Sequence, residues 1–277
     1  LVNGLYGFPE LGGVGCAWAT VAVVYMMVFA NLYFLKKHPK VAEQNLLSDF
    51  EPIDKATVLK TFKLGFPIGL SIIIELSMFA GAGIMIAKLG SIETAAHAVA
   101  ITIASASFMF YMGLGQGVTI RASQMLGADD PDAARFSIKV GTILNVSLAA
   151  FIALMFVLFA EPLIRMASSD ESVIELAIVL LLFGAAFQIA DSLQVAIIYA
   201  LRAYNDTASP PKYQVLSFWV FGVPLGVGLA FFDWWPGLEG AKGMWTAMTA
   251  SLYLVSLLLW YRLWQMISNY QHEPEST

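Results

Sequence analysis

The sequence predicts an all-α integral membrane protein of seven transmembrane helices. Three observations carry this reading. Of the 277 residues, 58% are hydrophobic and only 13% are charged, with a mean hydropathy of +0.72, whereas soluble domains carry about 25% charged residues. Seven apolar runs each approach or exceed the roughly 20 residues that a hydrocarbon core of about 30 Å demands of a helix. Lysine and arginine then concentrate in alternate loops.

The runs are 14–35, 64–88, 93–117, 136–160, 173–200, 214–232 and 241–266. None alternates polar and apolar residues strictly, so a β-barrel is not expected. Breaker-rich loops separate them: KLGS at 88–91, GADDPD at 127–132, ASSDES at 167–172, NDTASPPK at 205–212 and WWPGLEG at 234–240. The longest connection, 36–61, is charged, contains Pro39 and Pro52, and reads as a linker between lobes. One side collects Lys36, Lys37, Lys40, Lys55, Lys60, Lys63, Arg121, Arg135, Lys139, Arg202, Lys212 and Arg262, or 12 of the 15 basic residues. The other side holds Lys88, Arg165 and Lys242. Positive residues accumulate on the cytoplasmic side. The linker and the carboxy terminus are therefore expected in the cytoplasm and the amino end outside.

Several function classes are disfavoured. A net charge of -5 and the lack of a basic stripe argue against a nucleic-acid partner. Cys16 is the single cysteine, which excludes an intrachain disulfide and a thiolate metal site. No GxxxxGK[ST], HExxH or GxSxG motif is present, so neither enzymatic chemistry nor ATP-driven transport by this chain alone is expected. Of His38, His97 and His272, only His97 lies near a span, where a polar contact at the interface is expected. Arg121 is expected to snorkel to the cytoplasmic face. Asp132 is a candidate cap for the helix that follows it.

The start of the first span, LGGVGCAWA (11–19), echoes the start of the last, LEGAKGMWT (238–246). Leu11, Gly13 and Trp18 align with Leu238, Gly240 and Trp245 without a gap. Repeated halves are a recurrent transporter architecture, and the echo makes the first span the sixth helix of a preceding repeat. Leu1 is not a methionine and residues 1–14 lack a positive start, so the sequence reads as the later part of a longer chain.

Two carboxylates stand near the middle of spans. Glu75 is 12 residues after Lys63 and 13 before Lys88, about 18 Å from either flank at 1.5 Å per residue. Asp191 is the only charge in 176–201. A charge at that depth costs about 2.5–3.5 kcal/mol on insertion scales and normally faces a cavity or a partner. Such a carboxyl can carry a proton or offer hard oxygen to a small cation. Helical spacing groups Phe187, Gln188 and Gln194 with Asp191, and Ser71, Met78 and Phe79 with Glu75. Carboxylate, amide and aromatic groups on one face suit an organic cation, and Met78, Met85, Met109 and Met112 can adapt to ligands of different shape. Gly65, Pro67 and Gly69, Gly113, Gly115 and Gly117, and Gly222, Pro224, Gly226 and Gly228 serve either as bending points or as sites of close helix packing.

PELGGVGCAWAT (9–20), LGFPIGLSIIIELSMFA (64–80), LGSIETAAHAVA (89–100), MGLGQGVTIRASQMLG (112–127), FQIADSLQV (187–195), ALRAYNDT (200–207) and GAKGMWTA (240–247) run in order along nearly the whole chain. Together they resemble the multidrug and toxic compound extrusion family, in its NorM-like bacterial branch. The resemblance implies twelve helices in two six-helix lobes around a central cavity. Residues 1–35 would supply the last helix of the preceding lobe, 36–61 the linker, 62–268 the six-helix carboxy-terminal lobe and 269–277 a cytoplasmic tail. It further implies a bacterial inner membrane, a missing amino-terminal lobe as partner, and export of cationic amphipathic drugs in exchange for sodium or protons. The family's cation-binding carboxylates fall on Glu75 and Asp191, which would also hold sodium in a sodium-coupled exchanger. Phe108 corresponds to a substrate-facing aromatic. Phe187 stands where some members carry a tyrosine, and it cannot supply an oxygen ligand. No cofactor is expected beyond the transported ion. Two other readings stay open: a flippase for a lipid-linked precursor, which would call for Arg or Lys in the cavity, and a membrane scaffold indifferent to both carboxylates.

Overall fold

The computed structural model describes residues 11–37, 54–232 and 234–270, and among them every element is helical. Among the described residues, seven helices are long and apolar enough to cross a membrane. They are α1 (Gly12–Lys37), α2 (Lys55–Ala87), α3 (Ser91–Leu126), α4 (Pro131–Arg165), α5 (Glu171–Ala203), α6 (Ser209–Phe231) and α7 (Ala241–Tyr270). Most of the expected linker, 38–53, and the tail beyond 270 lie outside the described residues.

Two compact units meet in the chain at Val58. The first contains α1. Its polar side chains bond within the helix: Thr20 Oγ1 donates to the Cys16 carbonyl at 3.1 Å and Asn31 Nδ2 to that of Met27 at 2.8 Å. Lys36 and Lys37 close its last turn, where cations complement the negative end of the helix dipole.

The helices outrun the apolar stretches, because hydrophobicity marks the hydrocarbon core whereas a helix continues until a cap stops it. The second helix begins at Lys55, nine residues before the expected span at 64, where Asp54 accepts the Thr57 hydroxyl at 2.6 Å and the Ala56 and Thr57 amides at 3.1 and 2.9 Å. Those bonds, led by the Thr57 hydroxyl, hold the Asp54 carboxyl below its ordinary range. Asp170 caps α5 through the Ser172 amide at 3.0 Å and hydroxyl at 2.5 Å. At α4 the expected cap is displaced: Asp130 accepts the Ala133 amide at 2.9 Å ahead of Pro131, and Asp132 instead reaches Arg135 at 3.6 Å. Pro131 fits the first helical position because its missing N–H is one that a helix start leaves unbonded anyway.

In the second unit α5 is the central post. It packs on α3, α4 and α7, while α6 packs on α7. Small side chains let these helices approach, since apolar burial alone supplies little drive between helices in lipid. The buried face of α3 runs Ala96, Ala100, Ala104, Tyr111, Gly115, Val118 and Ala122, and that of α4 runs Ala134, Ile138, Gly141, Asn145, Ala149 and Ala153. Gly115 is a packing site: a Cβ there would meet the Tyr199 ring at 2.6 Å. Gly141 does the same for Val118. α2 differs, touching its neighbours mainly through side chains such as Phe79 against Phe187 and Met78 against Ser251.

Two irregularities break the helices. Val215–Gly222 in α6 is π-helical and runs into Pro224. Proline offers no N–H to the preceding turn, so the ladder changes register there; this is one of the expected bending regions. The other was not expected: α4 bends at Phe159, with φ -123° and ψ 23°, three residues before Pro162. Pro162 lies past the apolar run that ends at 160, so its effect on the turn before it escaped the pattern.

Gly141→Ala is expected to destabilise the protein by about 1–3 kcal/mol through overpacking. Val118→Ala on the same chain should recover most of that loss. Thermal unfolding in detergent checks both, and full stability in Gly141→Ala alone would contradict the contact.

Candidate functional site

One stripe of α5 faces a cavity. Phe187, Asp191, Val195, Ile198 and Arg202 recur every three or four residues and all line it, as one face of a helix must. α2 supplies Ser71, Ile72, Glu75, Leu76 and Phe79, and α3 contributes Ile101, Ala104, Ser105, Phe108, Met109 and Met112. The cavity has a volume of about 360 Å³, within the range of small-molecule sites. Its walls are aliphatic, aromatic and thioether with few polar groups, and both mid-span carboxylates open onto it.

The two carboxylates are held differently. Glu75 is half-buried, and its Oε2 accepts Nε2 of Gln214 at 3.2 Å. Gln214, fully buried at the start of α6, accepts the Ser71 hydroxyl on its own Oε1 at 2.5 Å. Ser71, Gln214 and Glu75 thus form a chain of bonds tying two turns of α2 to α6. Asp191 is 3% exposed, and its Oδ1 has no hydrogen-bond partner. A buried carboxylate oxygen without a donor costs free energy that a bound cation or proton would offset.

Phe187 packs edge-on against Phe79 with ring centroids 5.8 Å apart and lies tilted against Trp245 at 5.9 Å. Trp245 Nε1 donates to His97 Nδ1 at 3.2 Å. His97 is therefore a buried polar contact of α3 with α7, one turn before Ile101, where the cavity-lining stretch of α3 begins.

Three residues expected in the cavity lie elsewhere. Gln188 is fully buried between helices: its Oε1 accepts the Tyr111 hydroxyl at 2.9 Å and its Nε2 donates to the Ala104 carbonyl at 3.1 Å. Gln194 is fully buried as well, with neither amide atom partnered. Both flank the α5 stripe rather than standing on it. Met78 points to a separate void of about 10 Å³ shared with Met85, Met244 and Met248 beside Gly222. Of the four adaptable methionines, Met109 and Met112 reach the cavity.

Three contributors were not singled out from the sequence as site residues. Gln214 is the first residue of the apolar run 214–232. Tyr199 lies beside the stripe. Arg202, assigned to the cytoplasmic flank, turns its side chain to the cavity wall and lies 4.4 Å from the Tyr199 ring centroid. The signal for Arg202 was its spacing of 11 from Asp191, three turns along one face.

The MatE family model matches residues 67–227. The chain is 36% identical over 263 residues to a protein named probable multidrug resistance protein NorM from Chromobacterium violaceum, covering 95% of this chain and 57% of that protein. It is 33% identical over 275 residues to multidrug resistance protein PmpM from Pseudomonas aeruginosa, covering 99% of this chain and 58% of that protein. The chain thus spans less than two thirds of the length of these relatives. Among solved structures, the eukaryotic MATE transporter AtDTX14 superposes with a TM-score of 0.81 at 18% identity, over 97% of this chain and 60% of that one. The Vibrio cholerae MATE transporter VcmN in its bent form superposes with a TM-score of 0.74 at 18% identity, over 97% and 59%.

Tyr111→Phe leaves the buried Gln188 Oε1 without its donor and should cost about 1–3 kcal/mol. Adding Gln188→Leu should return part of that, since removing both partners spares the orphaned acceptor. A thermal denaturation cycle of the two single variants and the double variant reads the coupling.

Proposed function

Because the chain belongs to the MatE family, we propose that it takes part in exporting cationic, amphipathic small molecules across a bacterial inner membrane in exchange for sodium ions or protons. The observation that carries this reading is that two carboxylates from different helices, Glu75 and Asp191, open onto one aromatic-walled cavity. Carboxylates supply the charge that a cation requires, and the faces of Phe79, Phe108 and Phe187 attract organic cations. The relatives' names describe multidrug resistance, which fits a cavity with few directional polar groups.

Competition for the same negative charge supplies the coupling. A sodium ion or proton taken up by Glu75 and Asp191 on the outer side weakens their attraction for a cationic drug, which then leaves outward. Release of the small cation on the inner side restores the charge for the next drug. Exchange follows when the two ligands favour different conformations. α2, which meets its neighbours mainly through side chains, is the element best placed to shift between them. A preceding six-helix lobe, of which α1 is the last member, completes the transporter, with the linker and the carboxy terminus in the cytoplasm.

A flippase for an anionic headgroup would need a net positive cavity. Two carboxylates against the single guanidinium of Arg202 favour the cation reading.

Ethidium efflux from cells expressing the protein from its own gene tests the assignment. Glu75→Gln and Asp191→Asn should each slow efflux about tenfold or more, the effect of losing a charge-assisted contact of about 1.5–3 kcal/mol. Wild-type rates from either variant would overturn the role given to that residue. Repeating the assay with and without sodium identifies the coupling ion.

A further inference from the structure

Arg202 is an anomaly in this cavity. A guanidinium that shares an apolar cavity with carboxylates ordinarily forms a bidentate pair with one of them. Here no nitrogen–oxygen contact within 4.0 Å joins Arg202 to Glu75 or Asp191. Arg202 and Glu75 nonetheless line the same cavity. The next acidic residue along the chain, Asp206, is already engaged: it accepts Arg262 Nε at 2.7 Å and the Ser209 hydroxyl at 2.8 Å. Arg202 is left stacked on an aromatic ring.

That ring occupies a built resting place. Tyr199 fits against α3 only because residue 115 is glycine, since a Cβ there would meet the ring at 2.6 Å. The Tyr199 carbonyl accepts the Thr119 hydroxyl at 2.6 Å, fixing the same turn of α5 to α3. The guanidinium carbon lies 4.4 Å from the Tyr199 centroid, a cation–π distance. Arg202 is half-buried and remains on the cavity wall. The stem that carries it is long and flexible, so its head can leave the ring without moving the helix.

We propose that Arg202 is a tethered cation that competes with the transported cation for Glu75, resting on Tyr199 while the carboxylate is loaded and turning toward the carboxylate as it empties. The proposal rests on the cation-exchange reading above. Its physical content is simple. A fixed positive charge beside a carboxylate lowers the affinity of that carboxylate for any mobile cation. Arg202 would therefore keep binding weak enough for release. It does not exclude cations, because stacking on Tyr199 keeps its charge off the carboxylate oxygens. Arg202 is accordingly a positioning and affinity-setting residue rather than a ligand of the drug.

The test is equilibrium binding of tetraphenylphosphonium, a lipophilic cation, to the detergent-purified protein expressed from its own gene. Glu75→Gln must first abolish or strongly weaken binding; if it does not, the cation-exchange reading fails and the tether with it. Given that dependence, Arg202→Gln should tighten binding about tenfold, the effect of one neighbouring charge on a carboxylate. Arg202→Lys, which keeps the charge, should stay within about twofold of wild type, a shift well under one unit of 1.4 kcal/mol. Arg202→Met retains an unbranched stem against Tyr199 and should tighten binding as Arg202→Gln does, and it serves if the glutamine variant fails to fold. A merely structural arginine would give weaker binding on substitution. Unchanged or weakened binding in a folded neutral variant, with the Glu75 dependence intact, would overturn the tether while leaving the exchange reading standing.

Discussion

A glutamine with no exposure, surrounded by helices in a hydrocarbon environment, costs least when both ends of its amide are bonded. Gln188 meets that condition by accepting the Tyr111 hydroxyl and donating to the Ala104 carbonyl, both on α3. The two bonds lie seven residues apart on α3, so they fix the rotation of α5 as well as its distance. Asp191 stands one turn further along α5, and its direction into the cavity follows from that fixed rotation. Small residues on α3 and α4 bring the backbones close enough for the amide to span the gap. The polar clamp and the apolar packing therefore depend on each other, and the site depends on both.

Against this rigid side stands α2, held by longer reaches. Glu75 is tied through Gln214 to α6, and that helix departs from regular geometry immediately after the glutamine, over Val215–Gly222. The Met78, Met85, Met244 and Met248 cluster beside Gly222 gives this region a soft, polarisable packing with a small void. One carboxylate thus sits on a post and the other on an element whose supports can yield. Such an asymmetry suits a site that must hold a ligand in one conformation and lose it in another.

The seven helices and the two carboxylates were legible because each breaks a strong rule: a long apolar run cannot be a soluble surface, and a charge in its centre needs a reason. The details were lost where several side chains share a helical turn. Positions 188 and 194 are as close to Asp191 in sequence as the true wall residues, yet they lie to either side of the stripe traced by 187, 191, 195, 198 and 202. Spacing of three or four residues selects a broad face, and only packing decides its edge. Gln214 was hidden by being the first residue of an apolar run. The bend at Phe159 was hidden because Pro162 acts on the turn before it. The capping role went to Asp130 rather than Asp132, since Pro131 between them fixes where the first helical position falls.

The close seating of the Tyr199 ring against Gly115 has a mechanical consequence. A bulky ring lodged where the facing helix has no side chain works as a key in a keyway: α3 and α5 can separate, but they cannot slide lengthwise until the key is lifted out. Axial travel between the two would have to proceed in jumps from one seat to another, never as a smooth glide. Any large rearrangement of this lobe should therefore carry α3 and α5 as a single piece, with the relative motion confined to the helices that surround them.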